Sequence, residues 1–163
     1  MKYIPLPFNY SPRDYQMPFW AAMERGCKRA VLVWHRRTGK DKSCLNFLIR
    51  EMSKRVGNYF YTFPEFAQGR AVLWDGIDRD GFKFLDHFPP EFIKSKNETE
   101  MKIECVNCST FQIIGTDRFD KKIGANPMGI VFSEYSLQDP DVWGFFRPIL
   151  AENNGWAIFN YKK

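Results

Sequence analysis

The stretch WHRRTGKD, Trp34 to Asp41, sets two arginines, a glycine, a lysine and a carboxylate side by side. It follows a short apolar run, AVLVW, and precedes a segment of helical periodicity. In a strand-loop-helix setting, backbone N–H groups at the helix start point at an anion, and the helix dipole favours it. Lys40 would then reach terminal phosphates. Gly39 lets the backbone approach the ligand closely, and Thr38 and Lys42 flank it. Arg36 and Arg37 add guanidinium groups, which pair well with phosphate oxygens; the plain alternative is a solvated basic turn. The usual phosphate-loop pattern is GxxxxGK(S/T). Here Trp34 stands at its first glycine and Asp41 at its last position.

A second segment supplies the carboxylate such a loop needs. MGIVFSE reads as a buried strand that ends in Ser133 and Glu134. In a nucleotide hydrolase of this layout, one acidic group organises magnesium and the next can polarise the attacking water. Glu134 suits the second role, while Ser133 offers only a hydroxyl for the first. The usual site has a hydroxyl on the loop and Asp on the strand, and this chain has the reverse. Asp41, Ser133 and Glu134 are therefore the candidate metal residues, with Asp41 and Ser133 exchanged in position. Magnesium accepts oxygen ligands and keeps several waters, so one ligand can act through water. The plain alternatives are a favourable first-turn Asp and a strand with Glu at its solvent end.

Composition bounds the rest. The chain has 163 residues, 44% of them hydrophobic and 17% aromatic, enough for one domain with a real core. The net charge of +5 is uneven. Arg25 to Arg55 holds ten basic and two acidic residues, and Gly129 to Tyr161 holds one basic and four acidic. A phosphate-rich partner near the first stretch fits that distribution, as does an ordinary basic face. One CxxC, Cys105 to Cys108, does not make a four-ligand zinc site, and its context reads as a plain hairpin. No segment reads as a signal peptide or a membrane span, and the chain is expected to be intracellular.

The elements that must position these residues follow from periodicity. Helices are expected over Arg13–Arg25, Lys40–Arg55 and Phe66–Ile77, with a short one at best over Pro140–Leu150, interrupted by Pro148. Strands are expected at Ala30–Trp34, Asn58–Phe63, Gly129–Glu134 and Trp156–Asn160, with a hairpin over Met101–Ile114. Asp78–Asn97 reads as irregular. Alternation of strands and helices argues an α/β fold with a mostly parallel sheet flanked by helices. Tyr15, in an apolar stripe with Phe19, Ala22 and Met23, and Gln16, with its two-way amide, could read a base or simply cover the sheet. Tyr59, Phe60, Tyr61 and Phe63 read as packing.

Taken together these segments resemble the ATPase domain of phage terminase large subunits, the DNA-packaging motor. The resemblance rests on HRRTGKD, with Arg36 three before the Gly; on MGIVFSEYSLQDPDVW, ending its strand in Glu134; on Tyr15 and Gln16 in YSPRDYQMPFW; and on FQIIGTDRFDKKIG, Phe111 to Gly124. It implies a P-loop NTPase of the ASCE/RecA-like type with an inserted β-hairpin, using ATP and Mg2+. It implies catalytic Lys40, Arg36 and Glu134, and an adenine-holding segment at Tyr15 and Gln16. Its expected partners are double-stranded DNA, identical subunits in a ring when full length, a portal protein and a small terminase subunit, in the host cell cytoplasm and without a membrane. Two departures stand out. Ile123 occupies the position of an arginine thought to act on a neighbour's ATP, leaving Arg118 as the nearest candidate. The coupling segment after WAIFN is replaced by Tyr161, Lys162 and Lys163. Residues 1–163 would then be an N-terminal ATPase domain without its nuclease partner. Alternatives are a helicase-like or recombination ATPase of the same fold, and a nucleotide- or DNA-binding domain with little turnover.

Overall fold

In a computed structural model, which describes residues 5–119 and 125–162, the described strands form one seven-stranded sheet. They are β1 (Arg29–Trp34), β2 (Asn58–Phe63), β3 (Ile93–Asn97), β4 (Lys102–Cys105), β5 (Thr110–Gly115), β6 (Pro127–Phe132) and β7 (Trp156–Lys162), in the order β1-β7-β6-β2-β5-β4-β3. β1, β7, β6, β2 and β5 are parallel, and β4 and β3 complete the sheet antiparallel. A strand, β7, separates the loop-bearing β1 from the Glu134-bearing β6. The mostly parallel α/β layout matches the ASCE/RecA-like expectation. The expected hairpin is β4 and β5, and it continues the main sheet: β5 pairs with β2 in parallel and with β4 antiparallel.

Alternation along each strand sorts side chains into two layers. Tyr59, Tyr61 and Phe63 of β2, Val131 of β6, and Trp156 and Ile158 of β7 pack with α1 (Met17–Glu24) and α2 (Lys40–Lys54). Their neighbours Phe60, Ile130, Phe132, Ala157 and Phe159 pack with Val142, Phe146 and Leu150 of α4 (Pro140–Glu152) on the other face. Each of the larger apolar side chains contributes roughly 1.5–3 kcal/mol by leaving water, and that pressure fixes the register. A one-residue slip would turn every one of them around.

Several expected boundaries move, for local reasons. The first helix begins as a 3-10 turn, Asp14–Gln16, because Pro18 has no N–H to bond back one α-helical turn; proline is tolerated once α1 starts at Met17. Tyr15 is exposed, and Trp20 takes a buried place in the stripe. The helix expected to Ile77 is α3 (Phe66–Gly69), continued by a π turn, Arg70–Trp74, that closes with Asp75 N–H donating to Arg70 O. The segment read as irregular contains β3, whose IKSKN is mostly exposed and carries lysines, as befits an edge strand. α4 runs through Pro148, capped by Asp139, which accepts from Asp141 N–H at 2.9 Å. Its buried stripe at 142, 146 and 150 outweighs one missing hydrogen bond. All four cysteines are free, and Cys108 N–H donates to Cys105 O across the hairpin turn. Lys121, Lys122, Ile123, Gly124 and Lys163 lie outside the described residues. Among the described residues no helix is long and apolar enough to cross a membrane.

Candidate active site

The ends of β1, β6 and β7 and the start of α2 converge on a cavity of about 280 Å³, lined by Arg36, Arg37, Lys40, Asp41, Ser133, Glu134, Asn160 and Tyr161. Strand alternation decides which side chains face α2. Tyr61, Ser133 and Asn160 each stand two residues past a member of the α2-facing core, namely Tyr59, Val131 and Ile158. All three reach the first turns of α2. Tyr61 OH and Ser133 Oγ donate to Asp41 Oδ1 at 2.6 and 3.1 Å, and Asn160 meets Cys44 Sγ at 3.5 Å.

The loop before α2 is wound tightly. Arg37 and Gly39 both have positive φ, 62° and 76°, and Thr38 Oγ1 donates to His35 O at 2.7 Å. Gly39 suits its place on two counts: its φ is left-handed, and a Cβ there would lie a tight 3.1 Å from Gln16 Nε2. Lys40 Nζ donates to Trp34 O at 2.8 Å and to Tyr161 O at 2.9 Å, which holds its ammonium across the ends of β1 and β7. Burial raises the pKa of Asp41, against the opposing hydrogen bonds of Tyr61 and Ser133 and the charge of Lys40. Burial likewise pushes the Tyr61 phenol well up, so it remains a donor.

Glu134 sits just past β6 with φ 50° and ψ 52°. That left-handed conformation costs a residue with a Cβ roughly 1–2 kcal/mol. A frame of hydrogen bonds holds it. Gln138 Nε2 donates to Ser133 O at 2.7 Å and Thr62 O at 3.2 Å, and Leu137 N–H donates to Glu134 O. Gln68 of α3 donates from Nε2 to Glu134 Oε2 at 3.0 Å.

Across the loop lies a wider cavity of about 730 Å³, whose lining includes Arg13, Arg37, Thr38, Gly39, Lys40, Asp41, Lys42, Asp78, Arg79 and Phe84. Lys42 is ion-paired there to Asp78 at 2.8 Å. The Lys42 hydrogen bond, then Phe82 N–H, holds the Asp78 carboxyl down to about 2. A smaller cavity of about 200 Å³ touches Tyr10, Arg13, Gln16, Gly39 and Lys42.

Of the residues predicted from sequence, Arg36, Arg37, Lys40, Asp41, Ser133 and Glu134 share the first cavity, and Thr38, Gly39 and Lys42 line the second. Gln16 is arranged differently from an exposed base reader. It is buried; its Oε1 accepts from Tyr10 OH at 2.6 Å and Arg13 N–H at 3.0 Å, and its Nε2 donates to Thr38 O at 2.8 Å. It braces the loop because the 3-10 turn points it inward. Tyr15 is half exposed and donates to the same Thr38 O at 2.8 Å. Arg118 is exposed, with its guanidinium 4.7 Å from the Phe66 ring centre, and lines none of the three cavities. Sequence reasoning does not reach Gln68, Asn160 and Gln138, and it reads Tyr61 as packing alone. Strand alternation was the signal for Tyr61 and Asn160; nothing local marks Gln68.

No protein-family model and no curated protein matches the chain. Solved structures do. The large terminase ATPase domain of Thermus phage P74-26 matches with TM-score 0.69 and 20% identity, over 96% of this chain and 67% of that one. A single-residue variant of that domain matches with TM-score 0.73 and 16% identity over the same shares. The large terminase of a thermophilic bacteriophage, solved in complex with ADP, matches with TM-score 0.62 and 10% identity, over 82% of this chain and 34% of that one. At these identities the likeness is one of fold.

Proposed function

We propose that this chain binds and hydrolyses ATP, and that it does so as the ATPase part of a phage DNA-packaging terminase. The observation that carries the reading is the meeting of Lys40, Asp41, Ser133 and Glu134 at one cavity, beside a tight loop at a helix start. Backbone N–H groups of Thr38, Gly39 and Lys40 cradle phosphate oxygens, and Lys40 exchanges its two carbonyl partners for the β and γ phosphates. Arg36 and Arg37 neutralise the γ-phosphate from the cavity wall. Glu134, steadied by Gln68, takes the proton of the attacking water as the bond to the ADP leaving group breaks. Tyr15 offers a half-exposed ring to the adenine.

The donor set fits magnesium. Among the described residues no three His, Cys, Asp or Glu cluster into a cage, and magnesium characteristically uses one or two carboxylates with waters and phosphate oxygens. Asp41 and Ser133, with Glu134 beside them, are the residues that would hold it. When bound, the ion would offset the charge of the β and γ phosphates.

The terminase likeness in fold and motif supports the wider reading: translocation of double-stranded DNA by a ring of identical subunits, with a portal protein and a small terminase subunit, in the host cytoplasm. In such a ring Arg118 is the candidate to reach a neighbour's phosphates. ATP hydrolysis measured with and without duplex DNA, beside Glu134→Gln, tests the proposal. Turnover that the variant abolishes and DNA raises is the expected result. Nucleotide binding without turnover would make the chain a binding domain, and turnover indifferent to DNA would favour another ATPase of this fold.

A further inference from the structure

The buried phenol of Tyr61 has no part in the chemistry above, yet it touches the site's most unusual residue. We infer that Tyr61 is the positioning residue of the metal site: it fixes Asp41 so that one carboxylate oxygen is presented to the cation. The inference rests on the ATPase proposal and deepens it.

Both donors that reach Asp41 converge on a single oxygen. Tyr61 OH lies 2.6 Å and Ser133 Oγ 3.1 Å from Oδ1. Two donors on one oxygen set the rotation of the carboxylate plane. Oδ2 takes no hydrogen bond from any described residue, and Asp41 lines the cavities on both sides of the loop. The stronger donor is also the more rigid. Tyr61 is fully buried in the central strand and stacked on Phe63, with centroids 5.4 Å apart. Its ring cannot swing away, so its hydroxyl is a fixed post. Ser133 spends its one proton on Asp41 and assists the orientation from β6.

This explains how a loop can carry Asp where a short hydroxyl residue is usual. A carboxylate at the second position of α2 needs an anchor behind it, or it turns freely between the cation and Lys40. Removing groups that orient metal ligands typically costs about 10- to 100-fold in metal affinity. A merely structural Tyr61 would leave metal affinity alone once the fold was intact.

The test compares wild type, Tyr61→Phe, Ser133→Ala and Asp41→Asn, each checked for fold by circular dichroism. Manganese serves as the probe for magnesium, its free concentration read by electron paramagnetic resonance in saturating ADP. ADP affinity is measured separately in EDTA. Tyr61→Phe should weaken manganese binding about tenfold or more, with ADP affinity in EDTA unchanged. Ser133→Ala, which removes both a donor to Asp41 and a hydroxyl placed to hold the ion, should weaken it as well, and Asp41→Asn by the most. Should Tyr61→Phe misfold, Tyr61→Met, which fills the same strand position without a hydroxyl, takes its place; unaltered manganese affinity in the folded variant would overturn the anchoring. Manganese affinity equal to wild type in folded Tyr61→Phe overturns the inference and leaves the ATPase proposal standing. A wild-type chain that binds no ADP overturns both.

Discussion

The two sides of the Gly39–Lys40 turn are built from different materials. The smaller of these two cavities, of about 280 Å³, is walled largely by strand ends, with buried Ser133 and Asn160 delivered by alternation from adjacent strands and buried Tyr61 standing behind Asp41 on the next strand. Opposite the start of α2, the wider one is walled by loops and short turns, with Arg13, Ile77, Asp78 and Arg79 drawn from irregular segments and Phe84 from a 3-10 turn. Groups that must hold a reacting atom to a fraction of an ångström belong on the rigid side, and groups that only retain a ligand can sit on the other. On that division, substitutions on the strand side change turnover, and substitutions on the loop side change affinity.

The strongest test is Glu134→Gln. The amide keeps size and hydrogen bonding but cannot accept a proton, so hydrolysis should fall about 100-fold or more while ATP still binds. Calorimetry beside a phosphate-release assay separates the two. Equal loss of binding and rate would make Glu134 a structural or metal residue and blur the division.

Lys40 belongs to both cavities, and its loss should show as affinity. Lys40→Ala removes the ammonium now shared by Trp34 O and Tyr161 O. ATP affinity should drop on the order of 10- to 100-fold, with the melting transition retained. Unchanged affinity by calorimetry would end the phosphate-loop reading.

Gln68→Ala sharpens the strand side from outside the cavity. Without its 3.0 Å hydrogen bond, Glu134 loses a partner that holds it in place. Turnover should fall roughly tenfold at saturating ATP, with KM little changed. A rise in KM with turnover intact would instead place Gln68 among the binding groups.

How far the sequence revealed this site follows the same division. The loop, α2, β2, β6 and β7 were legible because apolar periodicity and Gly39 mark them, and Glu134 because a carboxylate ends a buried run. Asn160 was legible in principle, two residues past Ile158, but reads as a strand end until β7 is known to lie between β1 and β6. Tyr61 looked like packing because it is packing; only its hydroxyl, placed by the parallel register of β2 with β6, gives it a second task. Gln68 and Asp78 come from α3 and the loop after it, where the expected helix gives way to a π turn at Arg70–Trp74. No periodicity announces that break. β3 was missed because an exposed edge strand carries no buried stripe.

Gln16→Ala probes the brace beneath the loop. Its amide joins Tyr10, Arg13 and Thr38, so its removal should loosen the turn that any nucleotide meets. ATP and GTP affinities should weaken together, by roughly fivefold. Loss confined to ATP would return Gln16 to the adenine-reading role that its sequence position suggests.

Asp78→Asn should have the smallest effect. The Lys42–Asp78 pair sits at the rim of the wider cavity, and its aspartate also accepts from the N–H groups of Asp80 and Phe82 at 2.9 Å. The depressed pKa fixes the sign of the pH dependence: the pair's contribution is complete above the ordinary carboxylate range near 4 and is lost as pH falls toward about 2. At neutral pH the substitution removes the charge but leaves a side-chain oxygen for the backbone donors, so the loop keeps its shape. Exposed pairs are weak and screened by salt. ADP affinity should therefore change by no more than about threefold at low ionic strength and by less in high salt, measured by calorimetry at the two salt concentrations. A larger loss that salt does not diminish would mean that Asp78 anchors the phosphate loop through Lys42. The wider cavity would then be as rigid in its demands as the smaller one, and the contrast between the two sides would fail.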